Sequence, residues 1–432
     1  MRVYLDYAAT TPVSPLVVKA MNPYQKIFFG NPMAPHFFGE ETRKAIELAR
    51  EQIADFFNFD HEEIVFTSGA TESNNLAVKG IIGKIGKVES GGKRGKSGEK
   101  IKQKKYFLPH IITTAYEHHC VLDSVKYLVK TNQAEATFVK PDKNGVINPT
   151  EIQQAIKPNT VLISVMYVNN EIGTINPLKK IGVVIKKEKI RRKEIAGMKK
   201  EEALPLYFHS DVVQAVNYLP CNMIKLGVDL FSFSAHKIYG PKGVGVLGIK
   251  KNVLMDKIQH GGGQEFGLRA GTHNVPGIVG AGEAIRIIKK KKISAEMSDQ
   301  ASLRAQPNQK ITDLRDYFWE KLQRTVKDIQ LNGCLEKRIA NNLNVSFAGV
   351  EGESATLALS MEGIACSTGS ACSSGSLESS HVLLAIGLSH PQAHGSLRFT
   401  LGTGTTKAEI DYATLRIKEV IEKLRKISGY KK

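Results

Sequence analysis

The sequence lacks long apolar runs and contains few cysteines. No apolar stretch in its 432 residues approaches the roughly 20 residues that a membrane-spanning helix needs. The five cysteines are scattered, and none forms a Cys-x-x-Cys pair or a Cys/His cluster with zinc spacing. Residues 1–7 enter a strand-like pattern without an apolar signal core. We therefore expect a cytoplasmic protein with reduced thiols and no membrane partner.

The charge is not evenly distributed along the chain, because three segments carry most of the net positive charge. The net charge is +18, of which residues 84–105, 186–202 and 289–310 contribute +7, +4 and +4. These Lys-rich inserts have no aromatic residues between the charges, so base stacking is not indicated. We interpret them as solvated loops or short exposed helices and expect no nucleic-acid partner. A non-catalytic protein that uses the inserts to bind RNA or another partner stays open as an alternative.

Short β-branched runs alternate with helical patterns between the inserts. The strand candidates are residues 63–67, 111–114, 161–166 and 228–233, and the helix candidates include 15–21, 41–57 and 122–131. This alternation predicts an α/β fold with a mostly parallel sheet covered by helices on both faces.

The pattern changes after residue 275. A helix at 277–288 leads through an insert to a helix at 311–325, strands at 342–347 and 396–400, and a helix from Lys407. We predict a large α/β domain of residues 14–275 and a smaller α+β domain of residues 1–13 and 276–432.

The most informative segment is residues 231–243, FSFSAHKIYGPKG. An apolar run ends there in two serines, a histidine and Lys237, before a Gly/Pro turn. Hydroxyl and imidazole groups suit a phosphate, and an amine in a partly desolvated pocket can form a Schiff base with an aldehyde. Together these needs describe pyridoxal 5′-phosphate. The plainer alternative is an exposed lysine at the end of a strand.

Glycine-rich segments follow several predicted strands, at residues 67–71, 260–264 and 367–375. Ligands collect at the carboxyl ends of strands in open α/β sheets. The first segment precedes a predicted helix at residues 72–79, and such a helix start is suited to a phosphate.

Nine segments in order resemble the NifS/IscS type of cysteine desulfurase, in the aminotransferase class V group. The resemblance runs from about residue 3 to residue 412 and is interrupted by the three inserts. The segments are LDYAATTP (5–12), GNP (30–32) with His36, FTSGATES (66–73), EH (117–118), VNNEIG (168–173), DVVQ (211–214), the Lys237 segment, GGGQE (261–265) and SACSS (370–374).

The resemblance implies a fold type I enzyme that binds pyridoxal 5′-phosphate and removes sulfur from L-cysteine. The products would be L-alanine and a persulfide on Cys372. It further implies a homodimer that passes sulfur to an iron–sulfur scaffold protein or another acceptor, with tRNA thiolation left open. No metal site is expected in the chain alone, although Cys372 could ligate a transient iron–sulfur cluster through the scaffold.

The resemblance also implies roles for individual residues. Lys237 would bond the cofactor, His118 would stack on its ring as the acid–base group, and Cys372 would be the nucleophile. Arg398 would clamp the substrate carboxylate beside Asn170. The implied cofactor contacts are Ala70, Thr71, Ser234 and His236 at the phosphate, Asp211 at the ring nitrogen, Gln214 at the ring hydroxyl, His118, Asn170 and Lys237 around the ring, and Thr272 at the partner subunit's cofactor.

Each role has a plainer alternative. Asp211 could cap a helix, Arg398 could form a structural salt bridge, Cys372 could be an inert loop thiol, and the histidines could be structural. The sequence departs from the family at three positions. Phe266 stands where the family commonly has Arg, Ser379 stands where Pro is usual, and Cys120 stands in place of a small apolar residue. For the whole protein, a selenocysteine lyase or another class V aminotransferase is the nearest alternative.

Overall fold

The computed structural model describes residues 1–88, 108–298, 308–368 and 379–430. Its strands are β1 (Val3–Tyr4), β2 (Ile64–Thr67), β3 (His110–Thr114), β4 (Glu135–Val139), β5 (Thr160–Ser164), β6 (Tyr207–Asp211), β7 (Leu230–Ser234), β8 (Gly245–Ile249), β9 (Ile329–Leu331), β10 (Asn342–Phe347), β11 (Ile364–Ala365), β12 (Ser367–Thr368) and β13 (Ser396–Thr400). Its helices are α1 (Pro15–Met21), α2 (Pro23–Lys26), α3 (Phe37–Phe57), α4 (Ala70–Val88), α5 (His119–Lys130), α6 (Pro149–Ala155), α7 (Leu178–Lys199), α8 (Met223–Leu226), α9 (Val275–Ser298), α10 (Gln309–Thr325), α11 (Gly352–Met361), α12 (His381–Ala385), α13 (His390–His394) and α14 (Lys407–Ile427).

A seven-stranded sheet in the order β2-β8-β7-β6-β5-β3-β4 forms the centre of the larger unit. Strands β7, β6, β5, β3 and β4 pair in parallel, whereas β8 pairs antiparallel with both β2 and β7. The prediction of an α/β fold with a mostly parallel sheet is therefore confirmed.

Side chains alternate between the two covered faces of this sheet. Ile111 packs into a core with α4 and α5, while its neighbour Ile112 packs into the core that contains α3 and α9. Leu230 and Phe231 divide between the same two cores. Because both faces are buried, the strands read as nearly continuous apolar runs.

A second, antiparallel sheet has the order β12-β13-β10-β9 and shares an apolar core with α10, α11 and α14. The N-terminal strand β1 pairs in parallel with β11, and Val3 and Leu5 belong to this core. The N-terminal segment is therefore part of the smaller sheet's core, although it is far in sequence from the rest of that core.

The insert at residues 186–202 differs from its predicted form. Most of it continues α7 instead of forming a loop or a separate short helix. Arg192 is buried there, and its guanidinium donates to the carbonyl oxygens of Thr160 and Lys157 at 2.7 and 3.0 Å. Residues 89–105 and 299–307 of the other two inserts lie outside the described residues. None of the described helices combines the length and apolarity that crossing a membrane would need.

Candidate active site

A cavity of about 510 Å³ lies where several parallel strands end. Strands β6 and β7 end at its wall with Asp211 and Ser234, and α4 begins there. Residues 8–10 and strand β13 close its other side. Its lining includes ten of the predicted site residues, namely Ala70, Thr71, His118, Asn170, Asp211, Gln214, Ser234, His236, Lys237 and Arg398. The structure therefore brings these ten side chains to one chamber.

Lys237 lies on the single helical turn Ala235–Lys237 that follows β7. Its ammonium donates to the carbonyl oxygens of Ala8 and Ala9. The same turn is tied to the N-terminal segment, because Thr11 donates its N–H and its hydroxyl to the His236 carbonyl at 3.0 and 2.9 Å. Backbone contacts thus hold the amine inside the cavity, as a Schiff-base lysine requires.

Asp211 is a buried carboxylate with fixed orientation. Its Oδ1 accepts from the Val213 N–H at 2.9 Å, and its Oδ2 accepts from Asn74 Nδ2 at 2.7 Å. Burial raises the pKa of the Asp211 carboxyl, while the two donors and the Lys237 cation act in the opposite direction. Asp211 ends a strand and does not begin a helix, so the helix-cap alternative is wrong.

His118 caps the start of α5. Its Nδ1 accepts from the backbone N–H of Cys120 at 3.2 Å. Burial and the nearby Lys237 cation lower the pKa of the His118 imidazole to about 4. A neutral imidazole therefore faces the cavity at physiological pH, and it can accept or relay a proton.

The start of α4 and the end of β7 form a compact polar end of the cavity. Ala70 and Thr71 open the helix, with Ser234 and His236 opposite. A Cβ on Gly245 would lie 2.3 Å from the carbonyl carbon of Gly69, so the close approach of the two backbones requires glycine. Free backbone N–H groups at a helix start favour a phosphate here.

Arg398 occupies the opposite end. Its Nη2 donates to Asp6 Oδ1 at 2.9 Å, and its Nη1 donates to the Asn170 carbonyl at 2.9 Å. The structural salt bridge weighed as an alternative is thus present, although Arg398 also lines the cavity. Within the described residues, Arg398 Nε and Asn170 Oδ1 are buried without a partner. Such unpaired groups are suited to a polar ligand.

Two predicted residues are not among those that line the cavity. Thr272 is exposed and lies outside its lining. Cys372 falls outside the described residues, so its assignment as the nucleophile stays a prediction.

Buried charges hold the segment that carries Thr272. Glu265 accepts from Arg50 at 2.9 Å and lies 2.7 Å from His273 Nε2. Phe266 adopts a positive φ of 56°, and its ring centroid lies 5.1 Å from the Arg50 guanidinium.

Sequence reasoning missed Asn74 as a site residue and treated Cys120 only as a departure. Asn74 donates to Asp211 and also to Cys120 Sγ, at 3.0 Å. The helical period offered a signal, since residues 70 and 74 lie one turn apart on the same face of α4.

The Aminotransferase class-V family matches residues 3–92 and 99–413 of the chain. The chain is 45% identical over 429 residues to the cysteine desulfurase IscS of Dictyoglomus turgidum, and the alignment covers 99% of the chain and 97% of the relative. It is 42% identical over 426 residues to the cysteine desulfurase IscS of Methanosarcina thermophila, with 99% and 93% covered.

Solved structures are similar to this chain over nearly its whole length. A NifS-like protein superimposes with a TM-score of 0.80 at 34% identity, covering 98% of this chain and 100% of the other. The structure of SspA in complex with cysteine superimposes with a TM-score of 0.71 at 32% identity, covering 93% and 99%. The likeness extends over both sheets described above.

Proposed function

The chain belongs to the cysteine desulfurases of the aminotransferase class-V family, and we propose that it removes sulfur from L-cysteine and leaves L-alanine. The observation that carries the proposal is the single cavity in which Lys237, Asp211, His118 and Arg398 meet. Relatives named as cysteine desulfurases align with nearly the whole chain. These four residues are of the types that this chemistry needs beside the nucleophile Cys372, which lies outside the described residues.

The cavity fits pyridoxal 5′-phosphate, the cofactor of this family. Lys237 offers an amine, the start of α4 offers phosphate donors, and Asp211 offers a buried carboxylate. Asn170 Oδ1 has no partner within the described residues, which suits a polar ligand beside it. When bound, the cofactor supplies an aldehyde for an amine and an electron-withdrawing ring that stabilises negative charge at the substrate α-carbon.

The chain's own residues bind the substrate and move its protons. Lys237 Nζ would take the proton from the substrate α-carbon and return one, since the amine lies inside the cavity. His118, neutral at physiological pH with Nδ1 accepting from the Cys120 N–H, would deliver a proton from Nε2 and take one back there. Asp211 would keep a proton on the ring nitrogen of the cofactor, and Gln214 would donate to the ring hydroxyl. Arg398 would bind the substrate carboxylate next to Asn170.

Sulfur transfer would use Cys372. Its thiolate would form a bond to the substrate sulfur while the bond between that sulfur and carbon breaks. The sulfur would remain on Cys372 as a persulfide, and the carbon skeleton would gain a proton and leave as alanine. A second thiol can then release the sulfur as sulfide or carry it to an acceptor.

We further propose a cytoplasmic homodimer that delivers sulfur to an iron–sulfur scaffold protein. Phe29 and Phe37 are exposed by 69% and 66%, which suits burial against a second copy. Exposed Thr272 would reach the partner subunit's cofactor in such a dimer.

Reductive trapping tests the cofactor assignment directly. Borohydride treatment of the yellow holoenzyme, followed by peptide mass spectrometry, should place the cofactor on the peptide with Lys237. Lys237→Ala should abolish both the trapped adduct and alanine formation from L-cysteine, whereas Lys242→Ala at the same cavity should keep the adduct. Trapping on another lysine would refute the assignment.

A further inference from the structure

Cys120 connects two proposed functional groups of the cavity through hydrogen bonds. Its Sγ lies 3.0 Å from His118 Nδ1 and 3.0 Å from Asn74 Nδ2. Asn74 Nδ2 in turn lies 2.7 Å from Asp211 Oδ2. Helices α4 and α5 and strand β6 each contribute to this chain of contacts. A continuous path therefore runs from the Asp211 carboxylate to the His118 imidazole.

One arrangement of protons is consistent with all these contacts, with two donors from Cys120 sharing the single lone pair of His118 Nδ1. The backbone N–H of Cys120 donates to His118 Nδ1, so this nitrogen carries no hydrogen of its own. The thiol must then be the donor in its contact with Nδ1. The Asn74 amide donates one hydrogen to Asp211, and the other meets a lone pair of the sulfur.

The thiol is suited to this donor role and not to attack on a substrate. Cys120 is 9% exposed, and burial, with the Asp211 and Glu117 carboxyls nearby, raises the pKa of its thiol. It therefore keeps its proton at physiological pH. A thiol that does not ionise is a poor nucleophile but a stable hydrogen-bond donor.

We propose that Cys120 is a positioning residue, which holds His118 with Nδ1 unprotonated and holds the Asn74 amide against Asp211. The proposal rests on the proposed function, which gives His118 and Asp211 their roles. Without the sulfur, the Asn74 amide loses the acceptor of its second hydrogen. Its Oδ1 has no partner in the described part of the chain, so little else fixes the amide.

The contacts that link Asp211, Asn74, Cys120 and His118, called the relay below, also affect the proton affinity of His118. A hydrogen bond to the neutral form of an imidazole disfavours its protonation, so loss of the thiol should make His118 easier to protonate. The other titratable or charged groups near the ring are unchanged by substitution at Cys120: Lys237, His119, Asp123, Arg398 and His381.

The test compares Cys120→Ala and Cys120→Ser in the cofactor-loaded enzyme. Serine keeps a donor and an acceptor, whereas alanine keeps neither. Cys221→Ala is the matched control, because Cys221 is another buried thiol, outside the cavity lining, that donates to the Leu219 carbonyl at 3.4 Å. In ¹⁵N-histidine-labelled protein, the His118→Gln variant assigns the His118 ring signals.

We expect the second ring proton of His118 to bind at a higher pH in Cys120→Ala than in wild type or Cys120→Ser. The kcat for alanine formation should fall about five-fold in Cys120→Ala, the effect of one lost hydrogen bond, with little change in KM. Serine should restore most of the rate, and Cys221→Ala should match wild type in both readouts.

Equal His118 titrations in wild type and Cys120→Ala would overturn the relay, as would a serine variant that behaves like the alanine variant. A wild-type enzyme that forms no alanine from L-cysteine would instead refute the proposed function. The ring-nitrogen titration would then still decide on the relay, since it does not depend on turnover.

Discussion

Arg398 Nη2 lies 2.9 Å from Asp6 Oδ1, which joins strand β13 to the N-terminal segment. That segment continues into Ala8 and Ala9, whose carbonyl oxygens accept from Lys237. The proposed substrate-binding arginine and the proposed Schiff-base lysine are thus held by the same short stretch of chain. Their relative position follows from the packing of residues 6–9 rather than from either side chain alone.

Replacement of Arg398 by lysine should weaken substrate binding. The guanidinium presents several donors in a fixed plane, and a lysine ammonium cannot hold Asp6, Asn170 and a carboxylate together. We expect Arg398→Lys to raise the KM for L-cysteine about tenfold or more, the size of a lost charged hydrogen bond, with a smaller change in kcat. Steady-state kinetics check this, with Asp6→Asn as the control for orientation alone. An unchanged KM would leave only the structural salt bridge as the role of Arg398.

Replacement of Asp211 by asparagine should lower turnover while the cofactor stays bound. The amide is similar in shape and can keep a contact with the Val213 N–H, but it has no charge to hold a proton on the cofactor ring. We expect kcat to fall about a hundredfold or more, the usual cost of removing a preorganised charge. Absorbance reports cofactor content, and alanine formation reports kcat. Normal turnover with full cofactor content would show that Asp211 has no part in the chemistry.

Long amphipathic and apolar segments were predictable from the sequence, and several element boundaries were not. Helix α1 and strands β10 and β13 match their predicted ranges. Helix α3 begins at Phe37 instead of residue 41, because the His36 side chain accepts from the Gly39 N–H at 3.4 Å and caps it. Helical periodicity carries no signal for this cap, since the cap depends on the rotamer of the His36 side chain.

The site was predictable where motifs carry it and less so where packing creates it. Lys237 comes shortly after β7, whose apolar run was predicted at residues 228–233. The strand that ends at Asp211 was not predicted, and the role of Asp211 came only from the family resemblance. The Arg398 contact with Asp6 joins residues that are far apart in the chain and was not predicted. The contacts of Cys120 depend on how α4 packs against α5, which composition and spacing do not determine.

Glu117 should make stability fall as the pH rises. It is fully buried, Thr114 and the Met166 N–H donate to its Oε1, and its Oε2 has no partner among the described residues. Burial raises the pKa of the Glu117 carboxyl to about 8 from 4.5, so the folded protein binds this proton more tightly than the unfolded chain. The stabilisation of the fold by protonated Glu117 is complete below pH 4.5 and is lost as the pH rises through 8.

Glu117→Gln keeps the neutral shape and removes this titration. Its unfolding free energy, relative to wild type, should therefore increase with pH, at a limiting slope of about 1.4 kcal/mol per pH unit. Urea unfolding of both proteins between pH 4.5 and 8 measures the difference in unfolding free energy. A constant difference would show that Glu117 ionises normally in the fold.

Glu265 should have the opposite pH dependence. Burial alone would raise its pKa, but hydrogen bonds from Arg50 and His273 lower the pKa of Glu265 to about 2 from 4.5. A depressed carboxyl pKa stabilises the fold above pH 4.5, and that stabilisation is lost as the pH falls toward 2.

Glu265→Gln should destabilise the fold at neutral pH by about 3–5 kcal/mol, because it leaves the buried Arg50 charge uncompensated. Glu47→Gln, which removes a half-exposed partner of the same arginine, should cost less than about 1 kcal/mol. Urea unfolding at neutral and acidic pH separates the two. Equal losses of unfolding free energy in Glu265→Gln and Glu47→Gln would show that the buried Arg50–Glu265 pair stabilises the fold no more than the half-exposed pair does.

The most direct test of the account is sulfide and alanine release from L-cysteine in the presence of a thiol reductant. Wild type is measured beside Cys372→Ala, with Cys334→Ala as the control for loss of a partly exposed thiol. We predict equal amounts of sulfide and alanine from wild type and Cys334→Ala, and neither product from Cys372→Ala although its cofactor stays bound. Unchanged turnover in Cys372→Ala would contradict a persulfide on this residue and would favour a lyase or transaminase.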